Sequence, residues 1–144
     1  MKPYRFSLEN VLEWRGEKEK VISEKLIKKT NQIEEKSAEI EGLVLEYEKI
    51  KNDARTFKNT SELIRMQQYR QSLADSIEKE RGSLSRLNNE REEIMKDLVK
   101  ARQDKSAIEK LKEKDHEDYK EKLRMFEQKF LDEIATLRHT RKEG

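Results

Sequence analysis

The sequence has no cysteine, one proline and only four glycines among its 144 residues. Without cysteine, disulfides and thiolate metal sites are excluded, and a reducing compartment is expected. No apolar run approaches the ~20 residues needed to span a bilayer. The first six residues lack the apolar core of a signal peptide. We therefore expect a soluble, cytoplasmic protein with no direct membrane insertion.

Aromatic side chains are also scarce, at 6%, and neither sign of charge dominates. Charged residues make up 44% of the chain, but 33 basic and 31 acidic residues are interspersed and leave a net charge of +2. The chain thus lacks the basic block that marks a nucleic-acid-binding surface, so no nucleic-acid partner is expected. The composition is typical of either a disordered polyelectrolyte or a coiled coil.

Periodicity favours the coiled coil. Over the first part of the chain, apolar residues recur with a heptad spacing for seven heptads. A repeat of that length predicts a left-handed supercoil with a partner helix. The two rows of seam positions are Leu12, Glu19, Leu26, Ile33, Ile40, Tyr47 and Ala54, and Leu8, Arg15, Ile22, Lys29, Lys36, Leu43, Ile50 and Phe57. Pro3 keeps the first residues out of this helix, and Ser7 is the expected cap.

The helical pattern breaks and restarts within residues 57–63. Asn59 can cap a new helix with its side-chain oxygen, and Glu62 stands where a capping-box carboxylate reaches back. Thr60 and Ser61 are alternative caps. A chain that turns back here forms a helical hairpin. We predict a first helix over about 7–57, a turn at about 58–61 and a second helix over about 62–141, in a single coiled-coil domain spanning 1–144.

The heptad pattern resumes in the second helix. Its seam positions are Leu63, Met66, Arg70, Leu73, Ile77, Glu80, Leu84, Leu87, Arg91, Ile94, Leu98, Ala101, Lys105 and Ile108. Two antiparallel registers remain open. One sets Lys36 opposite Glu80, and the other, shifted by one heptad, sets Glu19 opposite Lys105.

Beyond Ile108 the apolar pattern jumps eleven residues, a four-residue insertion that locally unwinds a supercoil. It then continues as the C-terminal stripe, which comprises Tyr119, Leu123, Met125, Phe126, Phe130, Ile134 and Leu137. At about 1.5 Å per residue, the second helix would outrun the first by roughly 40 Å. Only Tyr4 and Phe6 are placed to cover part of the stripe. An uncovered apolar stripe predicts a binding surface, either for a partner protein or for a second copy of the chain.

No catalytic or cofactor motif is found. The chain has no phosphate-binding loop, and its two histidines, His116 and His139, are 23 residues apart and flanked by charge. We expect both to be solvated, with no metal, no cofactor and no catalytic residue. Carboxylate pairs are abundant, but without a cleft they carry no catalytic signal.

The two ends of the chain resemble the FliJ family of flagellar type III export. Residues 6–15, FSLENVLEWR, resemble the family's F-x-L-x-x-(L/V)-L-x-x-R opening. Residues 107–135 resemble its C-terminal block, which contains E-K-L-K-E-(K/R), a charged run with tyrosine, and a terminal Asp-Glu pair, here Asp132-Glu133. Between the ends, the match is mainly in heptad character and in the segment 66–70, MQQYR.

The resemblance implies an all-α fold: a long antiparallel two-helix coiled-coil hairpin, similar to the central stalk of rotary ATPases, with the second helix overhanging the first. It also implies a non-enzymatic component of the export apparatus, peripherally associated with the inner face of the cell membrane. The implied partners are the flagellar export ATPase hexamer, the cytoplasmic domain of the export gate protein, and export chaperones. The isolated protein is expected to be a monomer.

Carried onto this sequence, the resemblance assigns two surfaces. The ATPase-binding residues are Phe6, Leu8, Leu12, Arg15, Tyr119, Leu123, Phe126, Phe130, Asp132 and Glu133. The export-gate-binding residues are Tyr69, Leu73 and Ser76, where Tyr69 replaces another aromatic and Ser76 a small apolar residue. Two other interpretations remain: a structural coiled-coil homodimer that acts as a scaffold, and the equivalent stalk of a virulence secretion system.

Overall fold

A computed structural model describes residues 2–52 and 57–143, with side chains described as far as residue 142. It contains two helices, α1 (Glu9–Lys51) and α2 (Thr60–Glu143), and no strand in the described part of the chain. The predicted fold is confirmed: the protein is an all-α, antiparallel two-helix coiled-coil hairpin whose second helix overhangs the first. The contacts that build it fall into two compact units.

The larger set of contacts joins residues 20–99. Four apolar side chains are buried where the helices meet: Ile40, Leu73, Ile77 and Leu98. Lys36 pairs with Glu80 at 2.5 Å between Nζ and Oε2, and seven residues earlier Lys29 pairs with Glu90 at 2.7 Å. Residue numbers fall on α1 as they rise on α2, so the two segments run antiparallel.

The second unit joins residues 1–19 to residues 100–144. Its buried side chains are Phe6, Ala101 and Ile108. Glu19 accepts from Lys105 at 3.3 Å, and Glu9 pairs with Lys112 at 2.9 Å between Oε2 and Nζ. Residue numbers again fall on one segment as they rise on the other, so these two segments are antiparallel.

The predicted seam positions face the opposite helix. Every seam position predicted on α2 is buried or half-buried except Leu63, which is 39% exposed. On α1, Leu8 is exposed and Ala54 lies outside the described residues. The two registers treated as alternatives are both represented, because the Lys36–Glu80 and Glu19–Lys105 pairs form together. Long Lys and Glu side chains reach along a seam, so such pairs do not fix a register to one heptad.

The start of α2 is capped as predicted. Asn59 Oδ1 accepts a hydrogen bond from the Glu62 N–H at 2.9 Å, and Glu62 Oε2 accepts one from the Lys58 N–H at 3.0 Å. Asn59 is the cap residue, and the alternatives Thr60 and Ser61 lie inside the helix. Local side chains therefore satisfy one free N–H group of the helix end, that of Glu62, and the N–H of Lys58 just before the cap.

The limits of α1 differ from the prediction. It begins at Glu9, where the Leu12 N–H donates to the Leu8 carbonyl, so Leu8 and not Ser7 is the cap residue. The Glu9 N–H donates to the carbonyl of buried Phe6, which provides an acceptor without a side-chain cap. The helix ends at Lys51 and not near Phe57, which is half-buried but not helical. Asn52 follows it, and Asn competes with helical hydrogen bonding through its side chain.

Candidate functional site

The N-terminal strap, defined here as residues 2–6, lies against α2 at the start of the C-terminal stripe. The Tyr4 ring makes an edge-to-face contact with His116, with centroids 4.7 Å apart and planes at 72°. It also lies 5.3 Å from the Tyr119 ring. The Tyr119 hydroxyl donates to the Lys2 carbonyl at 2.8 Å, and Phe6 is buried at 7% exposure. Tyr4 thus covers the beginning of the stripe at Tyr119.

Polar contacts hold the same strap. The Tyr4 hydroxyl donates to the Lys112 carbonyl at 3.4 Å. Burial and the neighbouring Asp115 carboxylate raise the pKa of the Tyr4 phenol, so this donor keeps its proton. Lys112 pairs with Glu9 in the first turn of α1, and the hydrogen bond to Glu9 raises the pKa of the Lys112 ammonium. Negative charge in that turn also suits the helix dipole.

The remaining predicted residues of α1 pack beside the strap. Leu12 is half-buried, and Leu8 is 37% exposed at the helix start. Arg15 is half-buried, and its Nη1 donates to the Asp104 carbonyl at 2.6 Å. Leu12 and Arg15 therefore stabilise the pairing of the two segments and leave little of their own surface for a partner.

The side chains of the C-terminal stripe become mostly exposed after Leu123. Tyr119 and Leu123 are half-buried, whereas Phe126 is 53% and Phe130 56% exposed. Other large apolar side chains beside them are similarly uncovered, namely Met125, Leu131 and Leu137. Asp132 and Glu133 are exposed and line an open depression of about 440 Å³ together with Leu137. The structure thus brings together most predicted residues of this site on one helix segment.

Sequence reasoning missed two members of the seam, Lys112 and His116. Both are half-buried, so α2 continues its contacts through Ile108, Lys112, His116 and Tyr119 across the predicted insertion. The prediction of a solvated His116 is wrong, because its ring packs against Tyr4. Lys112 follows Ile108 by four residues and His116 follows Lys112 by four, which was a usable signal, but their polarity hid it from a search for apolar residues.

The three predicted gate-binding residues lie on α2 within residues 20–99. Tyr69 is 46% exposed, and its hydroxyl donates to Glu46, whose hydrogen bond raises the pKa of the phenol. Leu73 is only 7% exposed and packs in the seam, so its side chain supports the surface from beneath. Ser76 is half-buried and lines an open groove of about 410 Å³. The groove's other lining residues are Gln68, Gln71, Ser72, Asp75 and Lys79.

In the described part of the chain, no charged or polar side chain is buried, and no group of three metal-binding side chains is found. No described helix combines the length and apolarity that crossing a membrane requires.

Fold and surface together define a class: a two-helix coiled coil whose second helix carries an uncovered apolar stripe. Residues 4–144 match the family model described as the flagellar FliJ protein. The chain therefore belongs to the FliJ family, whose members are non-enzymatic components of the flagellar export apparatus. No curated protein and no solved structure matches it.

Proposed function

We propose that this protein is the stalk-like coiled coil that binds the flagellar export ATPase hexamer, promotes assembly of the ring, and couples it to the export gate and to export chaperones. The protein would act in the cytoplasm, at the membrane face of the flagellar base. Its chemistry is association alone. Contact with several ring subunits at once raises their effective affinity for one another.

The C-terminal stripe is the observation that carries this proposal. Phe126 and Phe130 lie one helical turn apart and are each more than half exposed. Large aromatic side chains of this kind are the usual anchors of a protein interface. Such a run of exposed apolar side chains is the usual mark of a surface that another protein covers. The adjacent Asp132 and Glu133 carboxylates add charges that can orient a partner and select for basic groups on it.

The buried members of the predicted ATPase site have a different role. Leu12 and Arg15 are half-buried, so they support the site by holding the start of α1 against α2, and Phe6 is buried at the end of the strap. Tyr69, Leu73 and Ser76 form the proposed gate-binding surface, in which Leu73 supports the other two from the seam. The proposal rests on family membership and on the open groove beside Ser76. That surface contains few apolar side chains, which suits a transient contact.

The test is the ATP hydrolysis rate of the cognate export ATPase, measured with and without this protein. We expect saturable stimulation near one chain per ring. The double variant Phe126→Ala/Phe130→Ala is expected to require at least about tenfold more protein for the same stimulation, because truncating interface anchors commonly costs about 2 kcal/mol or more. Circular dichroism should show unchanged helicity.

A matched control is Ile27→Ala/Leu45→Ala. These side chains are 61% and 62% exposed, comparable to the two phenylalanines, but lie outside the stripe. The control variant should stimulate as the wild type does. An absence of stimulation by the wild-type protein, with the ATPase shown to assemble on its own, would overturn the proposal. A mass of twice 17.3 kDa in light scattering would indicate a homodimer scaffold instead.

A further inference from the structure

The strap covers one end of a continuous face of α2, and the exposed part of the C-terminal stripe forms the other end. The Tyr4 ring packs on α2 against His116 and Tyr119. Leu123 follows Tyr119 by about one helical turn. A partner helix that lies along Phe130, Phe126 and Leu123 and continues in the same direction meets the Tyr4 ring. It must either stop near Leu123 or take the place of the strap.

The strap is held on α2 by few contacts, which a partner can replace. It is not helical, and the bond from the Glu9 N–H to the Phe6 carbonyl joins it to α1. Its attachment to α2 comes from the Tyr4 ring and from two tyrosine hydroxyl bonds. Lys2, Pro3 and Arg5 are exposed between these points. Segments with few buried contacts open more readily than the helices that carry them.

Opening the strap changes what α2 offers. Tyr119 and His116 lose the Tyr4 ring that covers them, and Phe6 loses its burial. The available surface then extends from His116 to Leu137. It gains two aromatic rings, those of His116 and Tyr119, and aromatic rings are favoured in interface cores.

We propose that the N-terminal strap is an intramolecular cover, which a helical partner displaces to occupy the whole C-terminal stripe, so that the docked strap lowers the affinity of the stripe for that partner. The inference rests on the proposed function, with the export ATPase as the partner. The apparent dissociation constant rises in inverse proportion to the fraction of molecules whose strap is open.

The experiment fixes the strap in place. Because the chain has no cysteine, Lys2→Cys/Lys122→Cys provides two unique thiols on residues that line the same groove of about 570 Å³. A bismaleimide with an internal disulfide links them, and reduction cuts the link while leaving both labels attached. We expect the linked protein to bind the export ATPase at least about fivefold more weakly than the same protein after reduction. Equal or tighter binding by the linked protein would overturn the proposal.

A second variant opens the strap without a label. Tyr4→Ala removes both ring contacts and is expected to bind the ATPase more tightly than the wild type. Arg5→Ala, in the same strap but with an exposed side chain, is the matched control and should bind as the wild type does. Weaker binding by Tyr4→Ala with unchanged helicity would mean that the strap is part of the binding surface and does not cover it, which contradicts the proposal.

A readout without the ATPase separates the two hypotheses. The dye 8-anilinonaphthalene-1-sulfonate fluoresces on apolar surface, so its fluorescence should rise when the linked protein is reduced. If no variant binds the ATPase but the dye signal rises, the proposed function fails and the cover stands. If the dye signal is the same before and after reduction, the strap does not cover the stripe and the inference is overturned.

Discussion

Two stretches of α2 carry the same kind of apolar pattern but have opposite environments. Ala101 and Ile108 are 4% and 7% exposed, whereas Phe126 and Phe130 are 53% and 56% exposed. Both stretches are helical and charged on their remaining faces. The difference is that α1 lies against the first stretch and nothing in the described chain lies against Phe126 and Phe130.

The comparison shows what hydrophobic periodicity measures. Spacing of apolar residues by three and four identifies the face of a helix that prefers to leave water. It does not identify what covers that face. For Ile108 the cover is within the chain, and for Phe130 we propose that it is another protein.

The strongest test compares the effect of an alanine substitution on the free energy of unfolding in the two stretches. Ile108→Ala removes a buried side chain, and we expect it to lower the free energy of unfolding by about 2 kcal/mol or more. Phe130→Ala removes a larger but exposed side chain and should change it by less than about 0.5 kcal/mol. Urea unfolding followed by circular dichroism measures both. Equal losses would mean that Phe130 is buried in solution, as in a homodimer, and would break the comparison.

The starts of the two helices provide a second comparison. Asn59 accepts a local hydrogen bond at the start of α2, whereas the start of α1 depends on packing of Phe6. Asn59→Ala is therefore expected to lower stability by about 1 kcal/mol. Ser7→Ala is the control and should change it by less than about 0.5 kcal/mol, because Ser7 is not the cap residue. A larger loss for Ser7→Ala would show that the first helix depends on its hydroxyl after all.

Much of the fold follows from sequence because its signals are local. The seam positions repeat every three or four residues, and Asn59 with Glu62 is a cap that needs no tertiary contact. The start of α1 was misplaced because it depends on Phe6, whose burial is a tertiary effect. The end of α1 was misplaced because the heptad spacing continues to Phe57 after the helix has ended at Lys51.

The site was predictable in outline but not in its details. Exposure of Phe126 and Phe130 followed from unequal helix lengths, and coverage by Tyr4 was foreseen. The contacts of Tyr4 with His116 and Lys112 were not foreseen, since polar residues carry no apolar signal. The binding roles of Tyr69 and Ser76 stay predictions.

The smallest expected effect compares an ion pair in the seam with one on the surface. The hydrogen bond from Lys36 lowers the pKa of Glu80 below its ordinary value of 4.5, and the bond to Glu80 raises the pKa of Lys36 above 10.5. Because the pKa of Glu80 is lower in the folded state, the carboxylate stabilises the fold at pH values above its unfolded pKa. That stabilisation is lost as the pH falls through the lowered pKa. The stabilisation from Lys36 is present at pH values below the ordinary pKa of 10.5, and it is lost as the pH rises through the raised pKa.

Glu80→Gln is therefore expected to lower stability at neutral pH and to flatten the fall in stability below about pH 4.5. The measurement is the free energy of unfolding in urea at several pH values from 7 down to the acid limb. Glu93→Gln is the control, because the side chains of Glu93 and its partner Lys96 are 73% and 75% exposed. Exposed ion pairs contribute little to the free energy of unfolding. If both variants give the same curve, the seam does not protect the Lys36–Glu80 pair from water. The difference between covered and uncovered faces would then hold for apolar side chains alone.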